Sequence, residues 1–310
     1  MFTQQRKAGS GFGARSTADD VLAGIDLSGR TALVTGGYSG IGLETTLALS
    51  RAGAHVIVPA RRPAEARNAL PEAEVHALDL ADLDSVRGFA ADFLDTGRTL
   101  DIVINGAGIM ACPETRVGPG WEAHFAVNHL GHFALVNRLR PALADGARVV
   151  SVASSGHFLS DVRWDDLHFR GTYDPWLAYA QSKTANALFA VHLAKLGLNA
   201  FAVHPGSILT PLQRHVPREE WLALGWITPD GAPAPGFKTP AQGAATAVWA
   251  ATSPLLDGRA GAYCQDCDIA EPARTDDMLV GGVKPWAVDP ESAARLWQVS
   301  AELTGLDLFS

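Results

Sequence analysis

Tyr179 and Lys183 could together move a proton near neutral pH, and they lie four residues apart in Y-A-Q-S-K. On a helix, residues four apart share one face, one turn from each other. A free tyrosine has a pKa of ~10 and is a poor acid–base catalyst at neutral pH. A neighbouring ammonium stabilises the phenolate and lowers that pKa, which would suit the hydroxyl for proton transfer. Tyr-x-x-x-Lys is common by chance, so its interpretation depends on the rest of the chain.

Two serines, Ser154 and Ser155, follow an apolar run in S-V-A-S-S-G-H. A hydroxyl at the carboxyl end of a strand lies where doubly wound sheets bind ligands, and it could orient and polarise a carbonyl group. A strand-end serine that only caps a turn is the structural alternative. Position alone does not choose between the two serines.

Several glycines occur in residues 31–42, which read T-A-L-V-T-G-G-Y-S-G-I-G. Gly36 would allow a tight turn, Gly40 would let a phosphate approach the backbone, and Gly42 would allow close packing of helix on sheet. The helix that follows would offer unpaired N–H groups and a positive dipole end to a pyrophosphate. The spacing G-x-x-x-G-x-G, after a strand and before a helix, predicts a dinucleotide site.

Short apolar runs alternate with amphipathic stretches along most of the chain. Strands are predicted at 31–35, 55–59, 74–78, 101–105, 148–153 and 199–204, and helices near 41–52, 63–69, 83–95, 119–140 and 176–196. This alternation predicts an α/β fold with a doubly wound parallel sheet and helices on both faces. We expect a flexible arm over 1–27 and one domain over 28–310, with a substrate lid at about 207–240 and a C-terminal helix at about 290–304.

The order of these motifs over roughly residues 28–270 resembles the short-chain dehydrogenase/reductase family. The matching positions are Thr35 with the glycine turn, Asp79-Leu80, Asn105-Gly106-Ala107-Gly108, Asn128 in N-H-L-G-H-F, Ser154, Tyr179 with Lys183, and His204-Pro205-Gly206 with Thr210. The motifs N-H-L-G-H-F, S-K-T-A-N and Y-C-Q-D-C look like the retinol dehydrogenase-like and WW-domain oxidoreductase-like branch.

The resemblance implies a Rossmann-type fold and hydride transfer between a nicotinamide and a ketone, aldehyde or secondary alcohol. Tyr179 would transfer the proton and Ser154, which the alignment favours over Ser155, would stabilise the developing charge. Lys183 would bond the nicotinamide ribose, and Asn128 would kink its helix and hold a water that relays protons to the lysine. The cofactor-binding positions would be Gly36, Tyr38, Ser39, Gly40, Ile41, Arg61, Arg62, Asp79, Leu80, Asn105, Gly106, Ala107, Tyr179, Lys183, Pro205, Gly206 and Thr210.

Arg61 and Arg62 indicate which dinucleotide is bound. NAD-selective relatives carry an Asp where Ala60 stands, and that carboxylate would repel a 2′-phosphate. A guanidinium pairs with phosphate through charge-assisted hydrogen bonds. We therefore expect NADP(H), with Arg61 as the main contact and Arg62 as a secondary one; two solvated surface arginines are the alternative.

Apolar side chains in the lid favour an apolar or aromatic substrate, although they could instead pack on one another or on another subunit. They are Leu212, Val216, Trp221, Leu222, Leu224, Trp226, Ile227 and Phe237. The predicted helices 119–140 and 176–196 are apolar on more than one face, which suits a homodimer or homotetramer.

The composition of this 310-residue chain argues against some classes of binding partner and suggests a cellular compartment. Its net charge of −8 argues against nucleic acid or an anionic membrane. Its three cysteines suggest a reducing compartment, so we expect a cytoplasmic protein. The chain shows no signal-like apolar segment at its start and no run long enough for a membrane anchor. C-Q-D-C at Cys264 and Cys267 fits a redox pair less well than a packed strand end.

No metal is expected, because the histidines lack metal-site spacing and most are interpreted as structural. These histidines are His124, His129, His132 and His204. Two other functions remain open: a non-catalytic dinucleotide sensor on the same fold, and a reductase of C=C or C=N bonds.

Overall fold

Parallel strands form the centre of the molecule in a computed structural model, which describes residues 5–309. The strands are β1 (Thr31–Thr35), β2 (His55–Ala60), β3 (Glu74–Ala77), β4 (Leu100–Asn105), β5 (Arg116–Val117), β6 (Trp121–Glu122), β7 (Leu143–Val152), β8 (Asn199–His204), β9 (Tyr263–Gln265) and β10 (Asp268–Ile269). Eight of them form one sheet in the order β10-β9-β8-β7-β4-β1-β2-β3, and β5 pairs with β6 separately. Every pairing in the large sheet is parallel except β9 with β10.

Helices cover both faces of this sheet, which confirms the predicted doubly wound fold. They are α1 (Ala18–Leu22), α2 (Gly40–Arg51), α3 (Pro63–Ala69), α4 (Leu83–Asp95), α5 (Gly131–Leu139), α6 (Pro175–Lys195), α7 (Arg218–Ala223), α8 (Pro240–Thr252) and α9 (Pro290–Thr304). Successive side chains of β1 point to opposite faces of the sheet. Ala32 and Val34 join the core with α2 and α8, and Leu33 joins the core with α4, α5 and α6.

The helix predicted at 119–140 is shorter than expected and begins irregularly. Trp121–Glu122 is a strand, Phe125–Leu130 is a π-helix, and only Gly131–Leu139 is α-helical. The Glu122 carboxylate accepts from the backbone N–H groups of His124 (2.9 Å) and Phe125 (2.8 Å). These bonds satisfy two donors at the helix start, so the helical stretch cannot extend back through Glu122.

Two short strands near residue 265 were not predicted. Asp266 and Cys267 join β9 to β10 with φ of 53° and 58°, the left-handed values of a tight hairpin turn. Cys264 lies buried in β9, and both it and Cys267 are free. The C-Q-D-C sequence therefore forms a strand end and turn.

The segment predicted as a flexible arm over 1–27 is packed against the domain where the structure describes it; residues 1–4 lie outside the described part. Thr17 and Asp20 form a capping box at the start of α1. Val21 and Leu22 are buried in the core shared with α8. Apolar residues at helical spacing behind a good cap explain why this stretch is ordered.

The predicted C-terminal helix forms over Pro290–Thr304, and Asp289 caps it through the backbone N–H of Ser292 (2.7 Å). It packs on α6, burying Leu296 and Trp297. The segment 207–240 lies at the carboxyl end of the sheet and contains α7 and a 3₁₀ turn, Pro211–His215. No helix in residues 5–309 is long and apolar enough to cross a membrane.

Candidate active site

One cavity of about 930 Å³ runs along the carboxyl ends of the central strands. It begins at the glycine turn between β1 and α2, passes the ends of β4 and β7, and ends beneath the 207–240 segment. Ligands of open α/β sheets bind at this edge, where loops from several strands meet. The sheet thus brings together side chains that are more than a hundred residues apart.

Tyr179 and Ser154 both line this cavity and lie close enough for the serine hydroxyl to lower the pKa of the phenol. Asp174 starts α6 by accepting from the backbone N–H groups of Trp176 (2.8 Å) and Leu177 (2.9 Å), and Tyr179 lies in the second turn. Ser154 follows β7 and also accepts from the backbone N–H of Gly156 (3.0 Å). The two hydroxyls could therefore contact one carbonyl oxygen together.

Ser155, the other candidate, lies on the same cavity wall. Its backbone N–H donates to His204 Nδ1 (3.0 Å). Ser154 is the serine whose side chain lowers the pKa of Tyr179, which distinguishes it as the hydroxyl placed to act with the phenol.

Lys183 lies one turn beyond Tyr179 and is 4% exposed. Its Nζ donates to the Val152 carbonyl (2.9 Å) and lies 5.6 Å from the centre of the Tyr179 ring. Burial lowers the pKa of Lys183 to about 8. The residue lines the cavity, where a ribose hydroxyl could also reach it.

The pKa of Tyr179 moves in the opposite direction to the one expected. Burial raises it to about 12, and the Ser154 side chain lowers it only in part. In this state the Lys183 ammonium donates to the Val152 carbonyl and not to the phenol oxygen. Tyr179 is therefore a phenol in this state, ready to donate a proton.

Asn128 lies behind the cavity wall, in the π-helix, and does not line the cavity itself. Its side chain accepts from the Ile109 backbone N–H (2.9 Å) and donates to the Ile109 carbonyl (3.0 Å) and to Ser182 Oγ (2.9 Å). The backbone carbonyl oxygen of Asn128 contacts His132 Nδ1 at 2.9 Å. These bonds fix the loop after β4 and α6 to each other; the predicted proton relay stays a prediction.

The glycine turn is closed by two contacts that leave no room for a side chain. A Cβ on Gly36, where φ is 69°, would lie 2.8 Å from Ala107 Cα, and one on Gly42 would lie 2.2 Å from the Gly36 carbonyl oxygen. Thr35 Oγ1 accepts from the backbone N–H groups of Gly106 (3.0 Å) and Ala107 (3.1 Å). The loop after β1 and the loop after β4 are thereby fixed to each other.

Three arginines gather at this end of the cavity, one of which the sequence reasoning missed. Arg61 and Arg62 follow β2, and Arg214 approaches from the 207–240 segment. Burial and then the charges of Arg61 and Arg62 lower the pKa of Arg214. A hydrogen bond with Tyr38 and the Glu65 carboxylate raise the pKa of Arg62. Arg62 also pairs with Glu65 at 2.8 Å. Arg61 and Arg214 are therefore the arginines better placed for an added anion.

Most of the predicted cofactor-binding residues line the cavity. They are Gly36, Tyr38, Ser39, Gly40, Ile41, Arg61, Arg62, Asp79, Leu80, Gly106, Ala107, Tyr179, Lys183, Pro205, Gly206 and Thr210. Asn105 is not among them, because it is buried in β4 with its amide 3.5 Å from Ser151 Oγ. A strand-end position does not reveal which face a side chain takes.

The other end of the cavity is apolar. Trp176, Leu212 and Trp226 line it together with Met110 and Tyr179, and the two indole rings meet at 5.8 Å. Leu224 and Phe237 from the predicted lid also line it, whereas Trp221 packs in the cluster behind. Residues 277–279, between β10 and α9, reach the rim and carried no recognisable sequence signal. This end suits an apolar ligand.

Comparison with known proteins identifies relatives of similar length. Residues 30–221 match the family model described as short chain dehydrogenase. A probable oxidoreductase of Streptomyces lividans is 46% identical over 90% of this chain and 98% of its own. Retinol dehydrogenase 12 of Bos taurus is 37% identical over 91% of this chain and 88% of its own, which agrees with the branch that the motifs resemble.

Solved structures have the same fold. An uncharacterized protein of Mycobacterium paratuberculosis is 33% identical with a TM-score of 0.72, over 95% of this chain and 99% of that one. Pseudomonas aeruginosa RhlG, solved as an NADP active-site complex, is 26% identical with a TM-score of 0.59, over 77% and 95%. The family model spans more than half of the sequence, and the relatives above match nine-tenths of it. The chain is therefore an oxidoreductase of the short-chain dehydrogenase/reductase family.

Proposed function

We propose that this oxidoreductase uses NADP(H) and transfers hydride between the nicotinamide and an apolar or aromatic ketone, aldehyde or secondary alcohol. The observation that carries the proposal is that Tyr179 and Ser154 lie together in the cavity, with Lys183 one turn away. A bound nicotinamide supplies or accepts the hydride. The protein must hold the carbonyl oxygen and move one proton.

Tyr179 and Ser154 would divide these tasks. In the reduction, Tyr179 gives its phenolic proton to the carbonyl oxygen while the Ser154 hydroxyl stabilises the developing charge. The raised pKa of Tyr179 keeps it protonated at neutral pH. The buried Lys183 ammonium, below its pKa of about 8, would steady the phenolate that remains.

The dinucleotide end fits a cofactor with three phosphate groups. The N–H groups at the start of α2 are not capped by the Ser39 side chain, so they are free for a pyrophosphate. Arg61 and Arg214 would take the 2′-phosphate, with Arg62 secondary because Glu65 already pairs with it. Ala60 offers no carboxylate to repel that group. The NADP complex of the RhlG structure is a further argument for this cofactor.

The residues that line the substrate end of the cavity support an apolar substrate. Trp176, Leu212, Trp226 and Phe237 give the cavity an apolar end beside Tyr179. A relative named retinol dehydrogenase indicates by its name that one member handles an apolar alcohol. A cytoplasmic location belongs to the same proposal, since the three cysteines are free.

The test is oxidation of NADPH and of NADH, followed by the absorbance of the reduced nicotinamide, over aliphatic, aromatic and cyclic ketones and aldehydes. We expect turnover with NADPH on apolar substrates and a loss of at least ~10³-fold in kcat for Tyr179→Phe, with NADPH affinity retained. Tight NADPH binding without turnover on any carbonyl would instead favour a dinucleotide sensor or a reductase of C=C or C=N bonds.

Cofactor preference is tested separately with Arg61→Ala and Arg214→Ala. Each should raise the Kd of NADPH ~10-fold or more and leave that of NADH within ~2-fold, because only NADPH carries the 2′-phosphate. Arg67→Ala is the matched control, since Arg67 lies on α3 but does not line the cavity. Equal losses of affinity for the two cofactors would show that these arginines do not bind the 2′-phosphate.

A further inference from the structure

A buried cluster of Cys112, His124 and Glu122 lies beside the active site and has no part in the proposed hydride transfer. The Cys112 sulfur is 3.5 Å from His124 Nε2, and His124 Nδ1 is 2.7 Å from Glu122 Oε1. Glu122 and His124 are fully buried and Cys112 is 5% exposed. A thiol, an imidazole and a carboxylate in this order form the arrangement that activates a sulfur nucleophile.

The hydrogen bonds fix which imidazole nitrogen faces the sulfur. Glu122 accepts from two backbone N–H groups and from His124 Nδ1, so its carboxylate is held in the ionised form. His124 Nε2 then accepts from the Cys112 backbone N–H (3.3 Å) and faces the thiol. Burial alone would lower the pKa of His124, but the bonds to Cys112 and Glu122 raise it to about 9. With Nε2 3.5 Å from the sulfur and Nδ1 held by a carboxylate, the imidazole is placed to take the proton of the thiol.

The surroundings place this sulfur behind the wall of the substrate end, since Met110 lines the cavity and Cys112 does not. Ala111, next to Cys112, packs with Met110, Tyr179 and Val216, and the His124 ring lies 6.2 Å from that of Tyr179. Ala111 has a φ of 46°, an unusual value for a residue with a side chain. The Cys112 carbonyl accepts from Tyr173 Oη (2.8 Å). The loop is thus held in a strained conformation that keeps Cys112 against His124.

Arg214 and His215 of the 207–240 segment lie within electrostatic range of the same cluster. Burial and the charges of Arg61 and Arg62 lower the pKa of Arg214, and burial, Arg214 and His124 lower that of His215. The α7 part of this segment is lightly packed, because α7 has no buried residue and Leu222 and Leu224 are about half exposed. Because Cys112 is 5% exposed, a small molecule would need local movement of its surroundings to reach the sulfur.

We propose that Cys112 is an activated thiol and a site of covalent modification by small α,β-unsaturated carbonyl compounds. The thiol gives its proton to His124 Nε2, and the sulfur electron pair forms a bond to the β-carbon. The C=C π electrons move to the α-carbon and carbonyl as an enolate, and the proton returns from His124 to the α-carbon. Nothing leaves and no oxidant is needed. The choice of electrophile rests on the proposed carbonyl substrates; the activation of the thiol does not.

The chain supplies its own comparison thiols. Burial raises the pKa of Cys264, and burial together with nearby carboxylates raises that of Cys267 to about 11. The Cys267 sulfur contacts Thr246 Oγ1 at 3.9 Å. Neither cysteine should react readily in the folded protein, and in denaturant all three should react alike.

The experiment is timed labelling of the full chain at neutral pH with iodoacetamide and, separately, with methyl vinyl ketone, read by mass spectrometry of the cysteine peptides. We expect Cys112 to react at least ~10-fold faster than Cys264 or Cys267 with both reagents. His124→Gln should slow Cys112 labelling ~10-fold. His129→Gln is the matched control, since it removes a buried histidine of the same segment that bonds Ser300 and does not face Cys112.

Labelling of Cys112 no faster than that of Cys264 and Cys267 would overturn the proposal, and this comparison needs only the unaltered chain. A fast rate that is unchanged in His124→Gln would also overturn it, because exposure alone would then explain the reaction. Fast alkylation by iodoacetamide without an enone adduct would reject the proposed ligand class. None of these readings depends on turnover, so the hydride-transfer proposal stands or fails apart from them.

Discussion

Burial sets the protonation state of the two residues at the base of the cavity. Tyr179 has its pKa raised to about 12, so it is a phenol at neutral pH. Lys183 has its pKa lowered to about 8, so it is still mostly an ammonium there. Both shifts disfavour the charged form, as expected for groups removed from water. The pair therefore favours proton donation, the role needed for carbonyl reduction.

This state predicts a pH dependence for the reduction. Because the pKa of Lys183 is lowered, its ammonium is complete only below about pH 8 and is lost as pH rises through that value. We expect kcat/KM for NADPH-dependent reduction to fall above about pH 8 with Lys183 as the titrating group. Lys183→Arg should lower the maximum rate but remove this decline, since a guanidinium keeps its charge.

The measurement is kcat/KM against pH in wild type and Lys183→Arg, with substrate stability checked at each pH. A decline of the same midpoint in both proteins would assign it to another group and exclude Lys183. A wild-type rate that stays flat through pH 8 would show that the lysine keeps its proton during turnover.

For single residues, the sequence predicted the positions of side chains better than their protonation states. The spacing of Tyr179 and Lys183 was enough to place both on one helix face. The direction of the Tyr179 pKa shift was wrong, because it depends on Met110, Ala111 and Val216, which pack around the ring from distant parts of the chain. Arg214 was missed for a related reason, since only the folded lid brings it to Arg61.

Among the elements, those with regular period and a clear cap could be predicted closely. β1 and β8 have the predicted bounds, and α6 and α9 begin behind aspartate caps and a proline. The start of the 119–140 region could not be read, because a buried carboxylate, Glu122, replaces the usual cap. The two strands near Cys264 are too short for alternation to show.

The cap of α6 should matter for catalysis as well as for stability. Asp174→Ala removes bonds to the backbone of Trp176 and Leu177, which should cost about 1 kcal/mol of unfolding free energy. Because Tyr179 lies in the next turn, we also expect kcat to fall ~2- to 10-fold through looser positioning. Urea unfolding and steady-state kinetics measure the two effects.

Asp289→Ala is the matched control, since it removes the equivalent cap of α9, a helix without a candidate catalytic residue. It should cost a similar free energy and leave kcat unchanged. If both variants lower kcat equally, the loss reflects general destabilisation and the positioning role of the α6 cap is rejected.

For the whole molecule, the C-terminal helix changes the argument about assembly. The apolar faces of α6 suggested a dimer or tetramer from the sequence. In the structure α9 covers part of α6 within one chain, with Leu296 and Trp297 buried between them. A helix that is apolar all round can be buried by its own chain as well as by a partner. The apolarity of α6 is therefore no longer an argument for association.

This intrachain cover predicts that α9 is a major source of stability for the catalytic half. Trp297 is 5% exposed and its ring meets those of Phe133 and His192 at 4.7 Å each. Trp297→Ala should lower the free energy of unfolding by about 3–5 kcal/mol, because a large buried ring is replaced by a cavity. Leu279→Ala, which truncates an 81% exposed side chain, should change it by less than about 0.5 kcal/mol. Denaturant unfolding measures both, and light scattering reports whether the α6 face uncovered in Trp297→Ala brings chains together. A loss below about 1 kcal/mol in Trp297→Ala would mean that α9 is a dispensable appendage, and the apolar face of α6 would again need a partner.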